Sequence, residues 1–305
     1  MRKTLAALAA VFALTAGGAD AALLALAPAD YTAVIWVEVR RLRGNRDIRA
    51  MLESPGTAKS FSQMERGGVR VADIESAAIF FWDNHWYGAL RVADASPIRD
   101  TLERRCAEKN SGIEAVTIAD RRVYRLKLAP RNDGRHVKKE LCITVFEDGT
   151  VIVAKYIEVE KFLKAARLDA AAAARFARND AEAWLFCRMN RLRKNEDLEA
   201  FAIKRASLEM RLCGPERTAL SMTGAITFAN ADKARTMSMT LPGILAIFAG
   251  LVFSEDPEGG DMVVRALRSE VDGDTLRLSL DMPEDLFRRF LRGWESLKDK
   301  KPRGR

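Results

Sequence analysis

The sequence predicts an α+β protein built from two tandem, duplicated modules, each a mainly antiparallel sheet with helices packed on one face. Three observations predict this. Short runs of β-branched and aromatic residues recur along the chain, bounded by turn residues, as buried strands are. Two Asp-Gly pairs, Asp148-Gly149 and Asp272-Gly273, sit between alternating apolar residues and signal hairpins. Finally, residues 30–51 align without a gap on residues 180–201, and eight of the 22 positions are identical. Chance alone would give roughly one or two identities.

The elements follow in order. Arg2 and Lys3 precede an apolar run, Leu5 to Leu14, and a small-x-small pattern, Ala19-Asp20-Ala21. Together they predict a signal peptide over 1–21, with an uncleaved anchor as the other reading. The apolar run is shorter than the roughly 20 residues a span needs. The first module, 22–168, is expected to open with a strand at Ala33–Val39 and a helix from Arg46 capped by Asn45. A hairpin of Ala77–Trp82 and Trp86–Val92 follows, then a helix over Pro97–Ala107. Four strands and a helix at Ile157–Ala165 close the module. An Ala-rich helix is expected to link the modules over 169–179. The second module, 180–297, reads as strands at Ala183–Met189, Leu208–Leu212, Ala219–Phe228, Thr236–Thr240, Val263–Ser269 and Thr275–Leu280, with a final helix from Glu284. The tail, 298–305, is basic. Gly88-Ala-Leu-Arg-Val-Ala-Asp-Ala95 also resembles Gly224-Ala-Ile-Thr-Phe-Ala-Asn-Ala231, which extends the internal likeness.

Composition bounds the function. At 48% hydrophobic and 30% charged, the 305-residue chain can bury a core and is not of disordered type. The formal charge of +8 favours anionic surfaces, although 50 basic residues among 42 acidic ones make most of it a mixed, solvated surface. Export would put Cys106, Cys142, Cys187 and Cys213 in an oxidising compartment. Two readings compete there: Cys106–Cys142 and Cys187–Cys213 disulfides, or four buried thiols.

Candidate contacts are few. Trp82, His85, Trp86 and Tyr87 flank an Asp83-Asn84 turn, so they can form an aromatic tip that grips a glycan or protein, or pack on their own module's helix. Leu241–Phe253, 13 residues with Phe248 near its middle, is the most apolar stretch of the expected mature chain. Its apolar residues lie on all faces, which asks for burial between the modules, or for a partner or membrane surface. With two histidines and no CxxC, HExxH, GxSxG, GxxxxGK[ST] or GxGxxG, the sequence offers no catalytic, cofactor-binding or metal-ligating residue.

Pro28-Ala-Asp30, its strand and Arg41-Leu42, together with Glu147-Asp-Gly-Thr150 and Ile157-Glu-Val-Glu-Lys-Phe162, resemble a broad group of uncharacterised exported bacterial proteins with repeated "Pro-Ala-Asp" strand–helix modules. The resemblance implies export and repetition and brings no activity. The expected role is a non-enzymatic periplasmic or envelope binding or scaffold protein, in the periplasm or outside the cell. Its partner would be a protein or an envelope polymer and not nucleic acid. A hydrolase of envelope polymers and a peripheral membrane protein are the alternatives.

Overall fold

A computed structural model of the chain describes residues 21–54, 64–65, 67–82, 85–108, 111–127, 140–168, 173, 183–188, 202–214 and 218–299. In chain order, α1 (Ala21–Leu24), β1 (Ala33–Val37), α2 (Val39–Leu42) and α3 (Arg46–Glu53) lead to the hairpin β2 (Ile74–Trp82) and β3 (His85–Val92). Then come α4 (Ser96–Ala107), β4 (Ile113–Ile118), β5 (Arg121–Lys127), β6 (Glu140–Val145), β7 (Thr150–Lys155) and α5 (Tyr156–Lys164). The second half holds β8 (Ala183–Arg188), β9 (Ile203–Cys213), β10 (Ala219–Phe228), α6 (Ala231–Val252), α7 (Pro257–Ala266), β11 (Leu267–Asp272), β12 (Thr275–Met282) and α8 (Glu284–Asp299).

The α+β class holds, with every paired strand antiparallel. The strands do not form a separate sheet in each half. They join in one sheet ordered β11-β12-β10-β9-β8-β1-β2-β3-β7-β6-β5-β4. The junction is β1 against β8, in a register that sets Ile35 opposite Leu185, 150 positions on. Ala33 faces Cys187 and Val37 faces Ala183. Pairing these two apolar strands removes the edge that each half would otherwise expose.

Alternation along the strands splits the core. Ile35 and Val37 join a cluster with Leu42, Ile48, Met51, Ile98, Leu102, Val252, Val263 and Phe287, so α2, α3, α4, α6, α7 and α8 cover one face. Val34 and Trp36 join Leu23, Leu24, Tyr87, Val159 and Phe162 on the other, under α1 and α5. The first half therefore carries helices on both faces, because its strands are apolar on both sides. In the second half the outward positions Arg205, Arg211, Thr223, Arg277 and Asp281 are polar and exposed, and the helices among the described residues cover the opposite face.

Local signals act as the sequence suggests. Asn45 caps α3, its Oδ1 accepting from Ile48 N at 2.9 Å. Gly149 takes φ +83° in the β6–β7 turn, which only glycine enters freely. Two elements differ. Val263–Ser269, expected as one strand, is helical through Ala266 because the Asp256 cap starts α7 upstream, and it becomes β11 only from Leu267. Thr236–Thr240, expected as a strand, is helical within α6. Its polar–apolar alternation fits either period, but Asn230 accepts from Lys233 N at 3.0 Å and starts a helix. The linker 169–179, apart from Ala173, lies outside the described residues.

Candidate functional site

The most unusual surface of the molecule is the outward side of α6. From Thr236 to Ser254 the sequence carries no charge. The expectation of burial on all sides is overturned. Met239 is 76% exposed, Ile247 71%, Leu251 58%, Ile244 49% and Phe248 44%. Only Ala234, Ala249 and Val252 of the helix are buried. The physical reason is topological. With β1 and β8 joined edge to edge, the halves sit side by side in one layer, and among the described residues no second layer closes over α6. At about 100° per residue, the exposed positions between Met239 and Leu251 sweep an arc of roughly 240°.

Neighbouring elements fix this face in place. Pro242 lies inside the helix and withholds one donor from its ladder. The Thr236 and Thr240 hydroxyls return to carbonyls one turn back, at 2.9 Å to Asp232 O and 3.1 Å to Thr236 O. Past the helix end, Asp256 caps α7 through Gly259 N at 3.2 Å and takes a two-pronged contact from Arg289 of α8 at 2.5 and 2.6 Å. Those Arg289 hydrogen bonds hold the Asp256 carboxyl down at about 2. Gly293 lets α8 approach so closely that a Cβ there would stand 2.2 Å from Val252 O. The outward face is thus presented by a braced helix.

The Trp82–Tyr87 corner resolves toward the module's own helix. Tyr87 is fully buried and stacks on Phe162 of α5, with centroids 4.2 Å apart. Lys161 Nζ sits 4.9 Å from the Trp82 ring centroid. His85 Nδ1 lies 2.7 Å from Glu158 Oε1, which also accepts from Lys155 at 3.3 Å. Trp86, one residue out of phase, packs on the opposite cluster. Of the predicted contact residues, Phe248 alone lies in the exposed α6 patch. Met239, Ile244, Ile247 and Leu251 were not singled out by sequence. The signal that marks them is the charge-free run around the whole helix.

The disulfide pairings are corrected. Cys106, Cys142 and Cys213 are free thiols. Cys106 packs beside the α4-side cluster and Cys142 inside the α5-side one, so the sheet separates them. Cys187 pairs with Ala206, seven residues before Cys213 on β9. At about 3.3 Å per residue that is roughly 23 Å, well beyond the roughly 7 Å Cα limit of a disulfide. Burial pushes the Cys142 thiol up to about 12.

An open cleft of about 570 Å³ lies at the far edge of the first half, lined by Arg99, Glu103, Arg122, Tyr124 and Phe146 among others. Its carboxylates include engaged groups. Glu103 holds Arg122 at 2.6 Å and Tyr124 at 2.5 Å, and Asp148 lies 3.2 Å from Arg91. Among the described residues no group of three or more His, Cys, Asp or Glu side chains is placed to hold a metal ion.

No family model matches the sequence, and no curated protein does. Two solved structures of the protein TP0453 share a similar backbone. Crystal form III gives a TM-score of 0.48 at 9% identity, covering 90% of this chain and 98% of that one. Crystal form I gives 0.49 at 8%, covering 90% and 97%. No residue role is carried across that likeness.

Proposed function

We propose that this chain is an exported, non-enzymatic binding protein of the bacterial envelope that works through the outward face of α6. The observation that carries the reading is the five large apolar side chains held 44–76% exposed on the charge-free stretch of a braced helix. Covering them in an apolar contact would recover roughly 6 kcal/mol, at about 2 kcal/mol per fully buried side chain scaled by exposure. That is a driving force for association with no other evident use in the fold. The leader-like segment over 1–21 supports export. Internal duplication is supported by the β1–β8 register, which is centred on Ile35 opposite its repeat counterpart Leu185, and by β3 and β10, whose like sequences each feed a helix on the same face.

Photo-crosslinking in the producing cell tests the reading. A photoreactive residue replacing Ile247 is expected to form an adduct with an envelope component, and one replacing Thr223 on the polar sheet face is not. Retention in the cytosol, or identical adducts from both positions, would overturn it.

A further inference from the structure

We infer that the occupant of this face is a lipid surface: α6 lies in the outer layer of an anionic bilayer, its axis parallel to the membrane plane. The inference rests on the binding role proposed above and names its partner. Three observations carry it. The first is the width of the apolar arc. A single helix from a second copy or another protein covers a stripe of about 100° and would leave more than half of the roughly 240° arc in water. Hydrocarbon, being continuous, wets all of it.

The second is charge. Helix α8 reaches the C-terminal end of α6, with Gly293 against Val252 and Ser296 Oγ 3.2 Å from Glu255. The sequence that continues from it, Lys298-Asp-Lys-Lys-Pro-Arg-Gly-Arg305, carries five basic residues and one acidic one. Of the acids nearby, Asp256 is held by Arg289, and Glu258 lies 3.4 Å from the same guanidinium. An exposed apolar face in a chain whose C-terminal sequence is basic is the pair of signals that holds proteins on anionic membranes.

The third observation decides between lying on the bilayer and crossing it. The 22 residues of α6 are long and apolar enough for a span. Their inner side, however, is committed to the sheet and to α7 and α8 through Ala234, Ala249 and Val252. Crossing would strip that packing, whereas lying in the plane keeps it and uses only the free arc.

The test uses the full chain with vesicles of phosphatidylcholine alone and with about one-third phosphatidylglycerol. Flotation with the anionic vesicles is expected. An Ile247→Asp/Leu251→Asp variant, which carries the same leader segment, should bind at least about tenfold more weakly. Its melting curve should be unchanged, because both sites are exposed. Replacing Lys298, Lys300, Lys301, Arg303 and Arg305 with Gln should weaken binding to anionic vesicles only. A photoreactive residue at position 247 should form lipid adducts on these vesicles. Equal binding by the Asp variant, an adduct joining two copies, or no adduct at all overturns the lipid assignment. An Ile247 adduct with an envelope protein in cells, without a lipid adduct on vesicles, would sink the lipid assignment and leave the binding role standing.

Discussion

Replacing Gly293 with Ala probes the brace that presents α6. A Cβ at this position would stand 2.2 Å from Val252 O, 3.1 Å from Val252 C and 3.3 Å from its Cγ1. The first two are backbone atoms of a neighbouring helix, so no rotamer change relieves them. The helices would have to part by about 1 Å, a strain of the size that costs an overpacked core roughly 1–3 kcal/mol. Alanine returns about 1 kcal/mol of helix propensity, so the net expectation is a loss of about 0–2 kcal/mol. Gly250 on α6 supplies the control. It too is helical, but a Cβ there meets nothing within 4 Å. Gly250→Ala should therefore gain up to about 1 kcal/mol, as propensity and a less free unfolded chain both favour it. The propensity gain is common to both, so the two variants should differ by the strain alone, about 1–3 kcal/mol, or roughly 2–6 °C in Tm. Thermal and urea unfolding followed by circular dichroism at 222 nm read this directly. Gly293→Ala as stable as Gly250→Ala would refute the close approach of α8 to α6, and with it the fixed presentation of the apolar face.

Two further outcomes follow from the same geometry. Asp256 has its carboxyl lowered to about 2 by Arg289, so its contribution to stability is fully present above the ordinary carboxylate value and is lost as pH falls toward about 2. Because its side chain is 36% exposed, solvent screening discounts that contribution to about 1 kcal/mol. Asp256→Asn should remove it at pH 6 and make progressively less difference as pH falls through about 2, as acid and urea titrations of both proteins would show. For the thiols, exposed Cys213 should react with a disulfide reagent at pH 8 in the folded protein. Buried Cys142, held at about 12, should react only after unfolding. Mass spectrometry of each labelled thiol checks this, and a Cys106–Cys142 disulfide recovered from native protein would contradict the sheet geometry.

Much of the fold was legible because local chemistry decides it. The apolar strand at Ala33, the Asn45 cap and the Asp-Gly turns each depend on residues a few positions apart. The misread strand at Thr236–Thr240 shows the limit, since a five-residue alternation fits two periods until the Asn230 cap chooses one. The candidate site was half legible. Phe248 and its apolar run were visible in sequence, but hydropathy gives the tendency to be covered and not the number of neighbours available to do it. The aromatic residues at Trp82–Tyr87 read the other way: a possible contact tip in sequence, and mostly the packing partners of α5 in space.

By itself the sequence determined the α+β class, the antiparallel hairpins, most element positions and the existence of one charge-free stretch from Thr236 to Ser254. Only the tertiary structure decided that the halves share one sheet through β1 and β8, that the cysteines stand on opposite faces or far apart along strands, and that α6 faces outward. The division has one physical cause. Turns, caps and periodicity are set by contacts between residues near in sequence. Exposure is set by which distant surfaces meet, and the edge-to-edge pairing of Ile35 with Leu185 placed the two halves in one layer, leaving no second layer among the described residues to cover the helix.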